Sequence, residues 1–236
     1  MRCYRGRTLA KKSRTPPPPR RPVQAPQRRS KTPEVPAERR RLLLPILFGI
    51  SGIILVFVVV GVLTLFNGGK SSDAAAATAL RAAGCTVKVA AATSRKHVTS
   101  LSAKIKYNTT PPSNGSHYAA PAIWDFYTTP ANPIQVVHNE EHGGVILWWG
   151  NKVPSSTVDR MHAFYNESPN GMLGTPYPAL GNKVAITAWT APSGGLGEGH
   201  VAVCTTFNED AFKKFRDAFR GKGPERFPVD SLAPGQ

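Results

Sequence analysis

Cysteine is scarce. The 236 residues hold three, and neither these nor any serine stands in a nucleophile elbow or a cysteine-protease context. The motif-bearing serine and cysteine hydrolases are thereby excluded. The glycine-rich stretch "SGGLGEGH", residues 193–200, lacks the Lys-Ser/Thr ending of a phosphate-binding loop and reads as a hairpin loop. No cysteine follows the long apolar run in a lipoprotein context, and no internal repeat argues for a stacked solenoid. Acidic residues are also few, 14 against 30 Lys and Arg, for a formal charge of +16.

That charge is concentrated at the start of the chain. Residues 1–41 carry 14 Lys and Arg against only Glu34 and Glu38, so the basic character belongs to a tail and says little about the partner of the remainder. The tail reads "TPPPPRRPVQAPQRRSKTPEVPAERRR", without hydrophobic period, and its prolines favour an extended, solvated chain. Its arginines suit anionic lipid, and "PPPPR" suits a polyproline-binding groove. Nucleic acid is not the expected partner.

Residues 42–66, "LLLPILFGISGIILVFVVVGVLTLF", form an uncharged run of 25 residues, against roughly 20 needed to cross the hydrocarbon layer. This predicts one transmembrane helix. Arg39, Arg40 and Arg41 flank one edge, and only Lys70 and Arg81 lie near the other, so the positive-inside rule places the N-terminus in the cytoplasm. The chain is thus expected at the cytoplasmic membrane, single-pass, with residues 67–83 a short helical stalk and 84–236 an extracytoplasmic domain. Outside, Cys85 and Cys204 are the two available thiols, and a disulfide between them is the simplest account of an oxidising compartment. Two buried free thiols are the alternative.

Within 84–236 the runs "TVKVA", "AKIKY", "IQVVH", "GVILWW", "KVAITAW" and "HVAVCTTF" read as strands. Two helices are expected: "SSTVDRMHAFYNES", with Ser156 as N-cap, and "NEDAFKKFRDAFRGKGPE", opening at Asn208 and repeating Phe212, Phe215 and Phe219. Strands grouped around two helices without regular βαβ alternation predict an α+β fold with a mostly antiparallel sheet.

The stretch "VVHNEEHGGVILWW", residues 136–149, carries the chemistry. His138 and His142 share a face in a strand or a helix, but four strand residues span ~13 Å, whereas one helical turn spans ~6 Å. A shared ion therefore requires the chain to coil at "HNEEH", and a tight turn between two strands is the expected shape. His117, in the Pro-Pro-Ser-Asn-Gly loop, supplies a third imidazole, Glu141 a carboxylate, and His97 a weaker further ligand. Neutral imidazoles with a carboxylate suit zinc or copper. Two other readings stand beside this one. In one, the polar groups satisfy each other by mutual hydrogen bonds in a buried turn; in the other, "HNEEH" is an inverted zinc-peptidase motif with Glu141 as base, although that motif works inside a long helix.

The segments "PPSNGSHY" (111–118), "VHNEEHGGVILWW" (137–149), "AITAW" (185–189) and "FKKFRDAFRGKGPE" (212–225) together resemble the bacterial domain-of-unknown-function family 3105. The resemblance implies a basic start, one membrane anchor and an actinobacterial type of chain, and it implies no reaction. Members usually have Leu where Glu140 stands, Thr-Ser at Ser113 and Asn114, and Pro at Ser116. The expectation is an envelope protein whose outer domain binds a transition metal without catalysis. The competing one is a metal-free interaction module, presenting "PPSNGSHY" with Tyr118, Trp148 and Trp149 to another envelope component.

Overall fold

The computed structural model describes residues 72–236. The expected basic tail, the transmembrane run and the first part of the stalk lie outside the described residues. Among the described residues no helix is long and apolar enough to cross a membrane.

Helix α1 spans 72–82 and ends before Gly84, whose φ of 79° turns the chain into β1 (Cys85–Ala91). Ala76 and Leu80 of α1 are fully buried in the main apolar cluster, so the segment read as a stalk is part of the core. The chain continues through β2 (His97–Val98), β3 (His117–Tyr118), α2 (Pro133–Glu141), β4 (Val145–Trp149) and α3 (Ser155–Glu167). Then follow β5 (Met172–Pro176), β6 (Val184–Thr190), β7 (Glu198–Cys204) and α4 (Glu209–Phe219).

Five strands form one sheet in the order β1-β7-β6-β4-β5, antiparallel except for the parallel β4–β5 pair. The α+β fold with a mostly antiparallel sheet is as the sequence predicts, and of the four α-helices among the described residues α1, α3 and α4 fall where helix was expected, while α2 does not. Strand alternation divides the core between the two faces of the sheet. Val145, Leu147 and Trp149 of β4 join α1, α3 and α4 on one side. Ile146 and Trp148 join Val136 of α2, with Trp124 and Leu232, on the other. Both tryptophans are therefore buried, at 0 and 6 % exposure, and the surface expected to display them to a partner does not exist.

Two strand expectations are corrected. "AKIKY" alternates between half-buried and exposed residues but pairs with no strand. "IQVVH" is helical: Asn132 caps α2 by accepting the Ile134 amide at 3.2 Å, and Pro133 occupies the first turn, where its missing N–H costs nothing. Gly143, at φ 95°, follows the His142 C-cap. These start and stop signals outweigh the β-branched Val136 and Val137, whose fully buried side chains gain more from packing than propensity costs them. In α3 the expected Ser156 cap is absent, because the helix begins one residue earlier behind Pro154 with no side-chain cap. In α4 Asn208 caps as expected, accepting the Ala211 amide at 3.0 Å.

Cys85 and Cys204 are disulfide-bonded, as the simplest reading anticipated. They face each other in the β1–β7 register, tying the edge strand and α1 to the centre of the sheet.

Candidate metal centre

Two short elements and one helix end build the site. β2 and β3 pair in parallel with His97 directly opposite His117. The last turn of α2 brings His138 and Glu141 against that pair. One ligand atom from each of His97, His117, His138 and Glu141 lies within 4.8 Å of the others. The rings of His97 and His138 stack at 5.0 Å, and His117 stands edge-on to both at 4.8 Å. Below His117 lies the indole of Trp189, 5.9 Å away.

Backbone carbonyls set the tautomers. His117 donates Nδ1–H to the Gly115 carbonyl (2.8 Å) and His138 donates Nδ1–H to the Tyr118 carbonyl (2.7 Å), so each neutral ring turns a bare Nε2 lone pair inward. Glu141 Oε2 lies 2.9 Å from His117 Nε2 and 3.6 Å from His97 Nε2, while its Oε1 accepts from Arg95 Nε at 2.7 Å. Burial opposes ionisation of Glu141, but its contacts with His117 and Arg95 prevail and hold the carboxyl at about 2. It is a carboxylate at any physiological pH.

His117 Nε2 and Glu141 Oε2 are buried, and neither has a hydrogen-bond partner. With Nδ1 committed to Gly115, a neutral His117 has no proton to give the carboxylate. Two acceptors facing each other at 2.9 Å need a positive charge, either a proton on the ring or a metal ion. The donor set fits an ion: bonds of about 2.0–2.2 Å would place ligand atoms about 3.3 Å apart, close to the spacings observed around Glu141.

His117, His138 and Glu141, expected as ligands, are thus brought together, and His97, expected as the weaker one, completes the four. His142 stands just outside. Its Nε2 is 3.0 Å from His138 Nε2 and 3.5 Å from Glu225 Oε2, and Phe227 packs on its ring at 4.4 Å. The chain after α4 reaches this point because Gly221 N donates to Gly143 O and Glu225 N to Glu141 O. A Cβ on Gly143 would come within 2.9 Å of the Gly221 backbone, so the approach depends on bare glycine. Arg95 and Glu225 were not anticipated. Arg95 stands two residues before His97 and shares its side of the chain, a weak signal, whereas nothing local marks Glu225. His200 and His162 take structural places away from the cluster. His200 bonds Thr190 Oγ1 at 2.8 Å, and burial holds its imidazole down at about 4, while His162 stacks on Phe126.

Glu140 turns into the sheet instead. Thr187 Oγ1 donates to its Oε1 at 2.5 Å, Trp148 Nε1 donates to the same hydroxyl at 2.8 Å, and Oε2 is buried without a partner. Burial pushes this carboxyl well above the ordinary range, with the Thr187 bond opposing only in part. The folded chain therefore holds the proton more tightly than the unfolded chain. That contribution is fully present below the unfolded pKa, near 4.5, and is lost as pH rises toward the folded value. Glu140→Gln should accordingly gain stability over wild type as pH is raised from about 5, by up to about 1.4 kcal/mol per pH unit, in urea melts with chelator present. A difference independent of pH would mean that Glu140 is ionised in the fold.

An α+β domain carrying a cluster of three histidines and one carboxylate, all buried except His97, is the class that fold and site define. Residues 97–230 match the family described as "Protein of unknown function (DUF3105)", and the chain belongs to that family. No curated protein and no solved structure matches it.

Proposed function

We propose that this chain is a membrane-tethered envelope protein whose domain, outside the cytoplasmic membrane, holds a zinc or copper ion through His97, His117, His138 and Glu141 without catalysing a reaction. The observation that carries the metal reading is the pair of buried, partnerless acceptors, His117 Nε2 and Glu141 Oε2, facing each other. Nitrogen and carboxylate donors favour borderline divalent ions, and the methionines that would supply soft sulfur, Met161 and Met172, are buried in the core away from the cluster. The tether rests on the apolar run at 42–66 and the basic residues before it, which also make anionic lipid the natural partner of the tail.

The hydrolase reading gains one feature, since "HNEEH" does end a helix. It loses ground at the base, because Glu141 Oε1 is tied to Arg95 and Oε2 points at the nitrogens of His117 and His97. A carboxylate so held is a ligand or its anchor rather than a group free to take a proton from water.

The purified chain is expected to contain or to bind one zinc or copper ion by elemental analysis and titration. Glu141→Gln should weaken binding by roughly 10–100-fold. Acid should release the ion. Burial lowers the pKa of His138, so the release should set in below the ordinary imidazole value of about 6.5. A chain that purifies metal-free and binds neither ion more tightly than about micromolar would assign the cluster to hydrogen bonding alone.

A further inference from the structure

The potential ligands do not stop at these four, of which His97 is 45 % exposed and the other three are buried. From the surface inward, Glu225 Oε2 lies 3.5 Å from His142 Nε2, which lies 3.0 Å from His138 Nε2. Beyond His138 stand His117 Nε2 and Glu141 Oε2, 2.9 Å apart. Each of these distances is close to the separation of about 3.3 Å between neighbouring ligands on one ion. Exposure falls along the same line: the side chain of Glu225 is 43 % exposed and that of His142 15 %, while His117 and Glu141 are at 0 and 1 %.

We propose that His142 and Glu225 form an outer station through which the ion reaches and leaves the buried cluster, with His138 the ligand common to both. The proposal rests on the metal-binding reading above.

The physical need for such a station follows from burial. Three of the four ligands are buried, His97 alone being exposed, and an ion moving toward them sheds its water stepwise, because each water lost must be replaced by a protein donor as it leaves. His142 and Glu225 supply a nitrogen and a carboxylate at the surface, where the ion still keeps most of its water. His138 Nε2, 3.0 Å further in, then replaces His142 as the ion moves toward His117 and Glu141. His142 is well placed to give way. Its ring is held on the outer side by Phe227 and Glu225, which are 42 and 43 % exposed, whereas the His117 and His138 rings are pinned by backbone carbonyls. Arg95 braces the arrangement by spanning Glu141 (2.7 Å) and Glu225 (3.3 Å), which keeps the outer carboxylate beside the inner one.

A station used in passage, but not in the final coordination sphere, must speed uptake and release alike and leave the equilibrium unchanged. The experiment uses the full chain in detergent with Cu²⁺ alone as probe. Uptake is followed in stopped flow by quenching of tryptophan fluorescence, since Trp189 lies against His117, and release by transfer of the ion to a chelator. His142→Gln and Glu225→Gln should each slow uptake and release by roughly tenfold, with equilibrium affinity changed by less than about threefold. Glu198→Gln, which removes an exposed carboxylate elsewhere, should leave both rates as in wild type.

Three results would overturn the proposal while leaving the buried site intact. They are unchanged rates in both variants, equal slowing by Glu198→Gln (which would assign the effect to overall charge), or an affinity loss of tenfold or more in His142→Gln that makes His142 a resident ligand. A wild-type chain that binds no copper or zinc would overturn both readings together.

Discussion

The His117→Ala chain should bind zinc or copper more than a hundredfold more weakly than wild type and should lose the rise in melting temperature that the ion confers. Apparent binding energies of about 10–16 kcal/mol for a four-ligand protein site put roughly 3 kcal/mol on each ligand, which is more than a factor of 100 in affinity. His117 is fully buried, so its removal takes away the innermost of the proposed ligands. Saturation of wild type at about 100 times Kd should stabilise the fold by about 2.7 kcal/mol, which in a domain of this size is roughly 5–10 °C. Thermal melts of both chains with ion and with chelator make the comparison, and near-UV dichroism of the buried tryptophans checks that the variant is folded. An equal metal-induced shift in His117→Ala would remove it from the site. No shift in wild type would leave the buried corner held by hydrogen bonds.

Reducing the Cys85–Cys204 bond should lower the melting temperature by roughly 10–20 °C. The two cysteines are separated by 119 positions, and closing a loop of that length contributes about 4–5 kcal/mol by restricting the unfolded chain. The location adds to the consequence. β1 is an edge strand, held on one side by β7, and the bond at its first residue also anchors the end of α1, whose Ala76 and Leu80 fill the core. Cys85→Ser/Cys204→Ser should reproduce the loss without reductant. Thiol labelling supplies the second check: Cys85 and Cys204 should react only after reduction, and full labelling of both in the native, unreduced chain would contradict the bond.

Much of the architecture is legible because the sheet buries both of its faces. "GVILWW", "KVAITAW" and "HVAVCTTF" are continuous apolar runs that only a two-sided core accommodates, and they are β4, β6 and β7. The phenylalanine repeat of α4 is equally direct, with Phe212, Phe215 and Phe219 all buried against the sheet. β5, "MLGTP", was not foreseen, since Gly174 breaks the apolar run. Its bareness matters only in three dimensions, where the Phe126 ring occupies the space a Cβ would take. "AKIKY" errs in the opposite sense. Its alternation says which side chains turn inward, but a strand also needs a neighbour offering amides in register, and none is there.

The site divides along the same line. The sequence by itself determined the donors: imidazoles and a carboxylate, no sulfur, in one coiled turn at "HNEEH" and one Pro/Gly-rich loop, with a disulfide as the simplest account of the thiols. Which imidazoles converge with Glu141 was decided by tertiary structure. Helical pitch puts His138 and His142 on one face, yet the direction of each ring depends on what its other nitrogen bonds. Tyr118 O turns His138 inward, Gly115 O does the same for His117, and the β2–β3 register brings His97 opposite His117 from twenty residues away. His142, at the end of α2 beside Glu225 and Phe227, is drawn outward. Spacing along a chain specifies which residues are neighbours on one element, whereas the orientation of a ligand is set by hydrogen bonds and packing from other elements, and those exist only once the chain has folded.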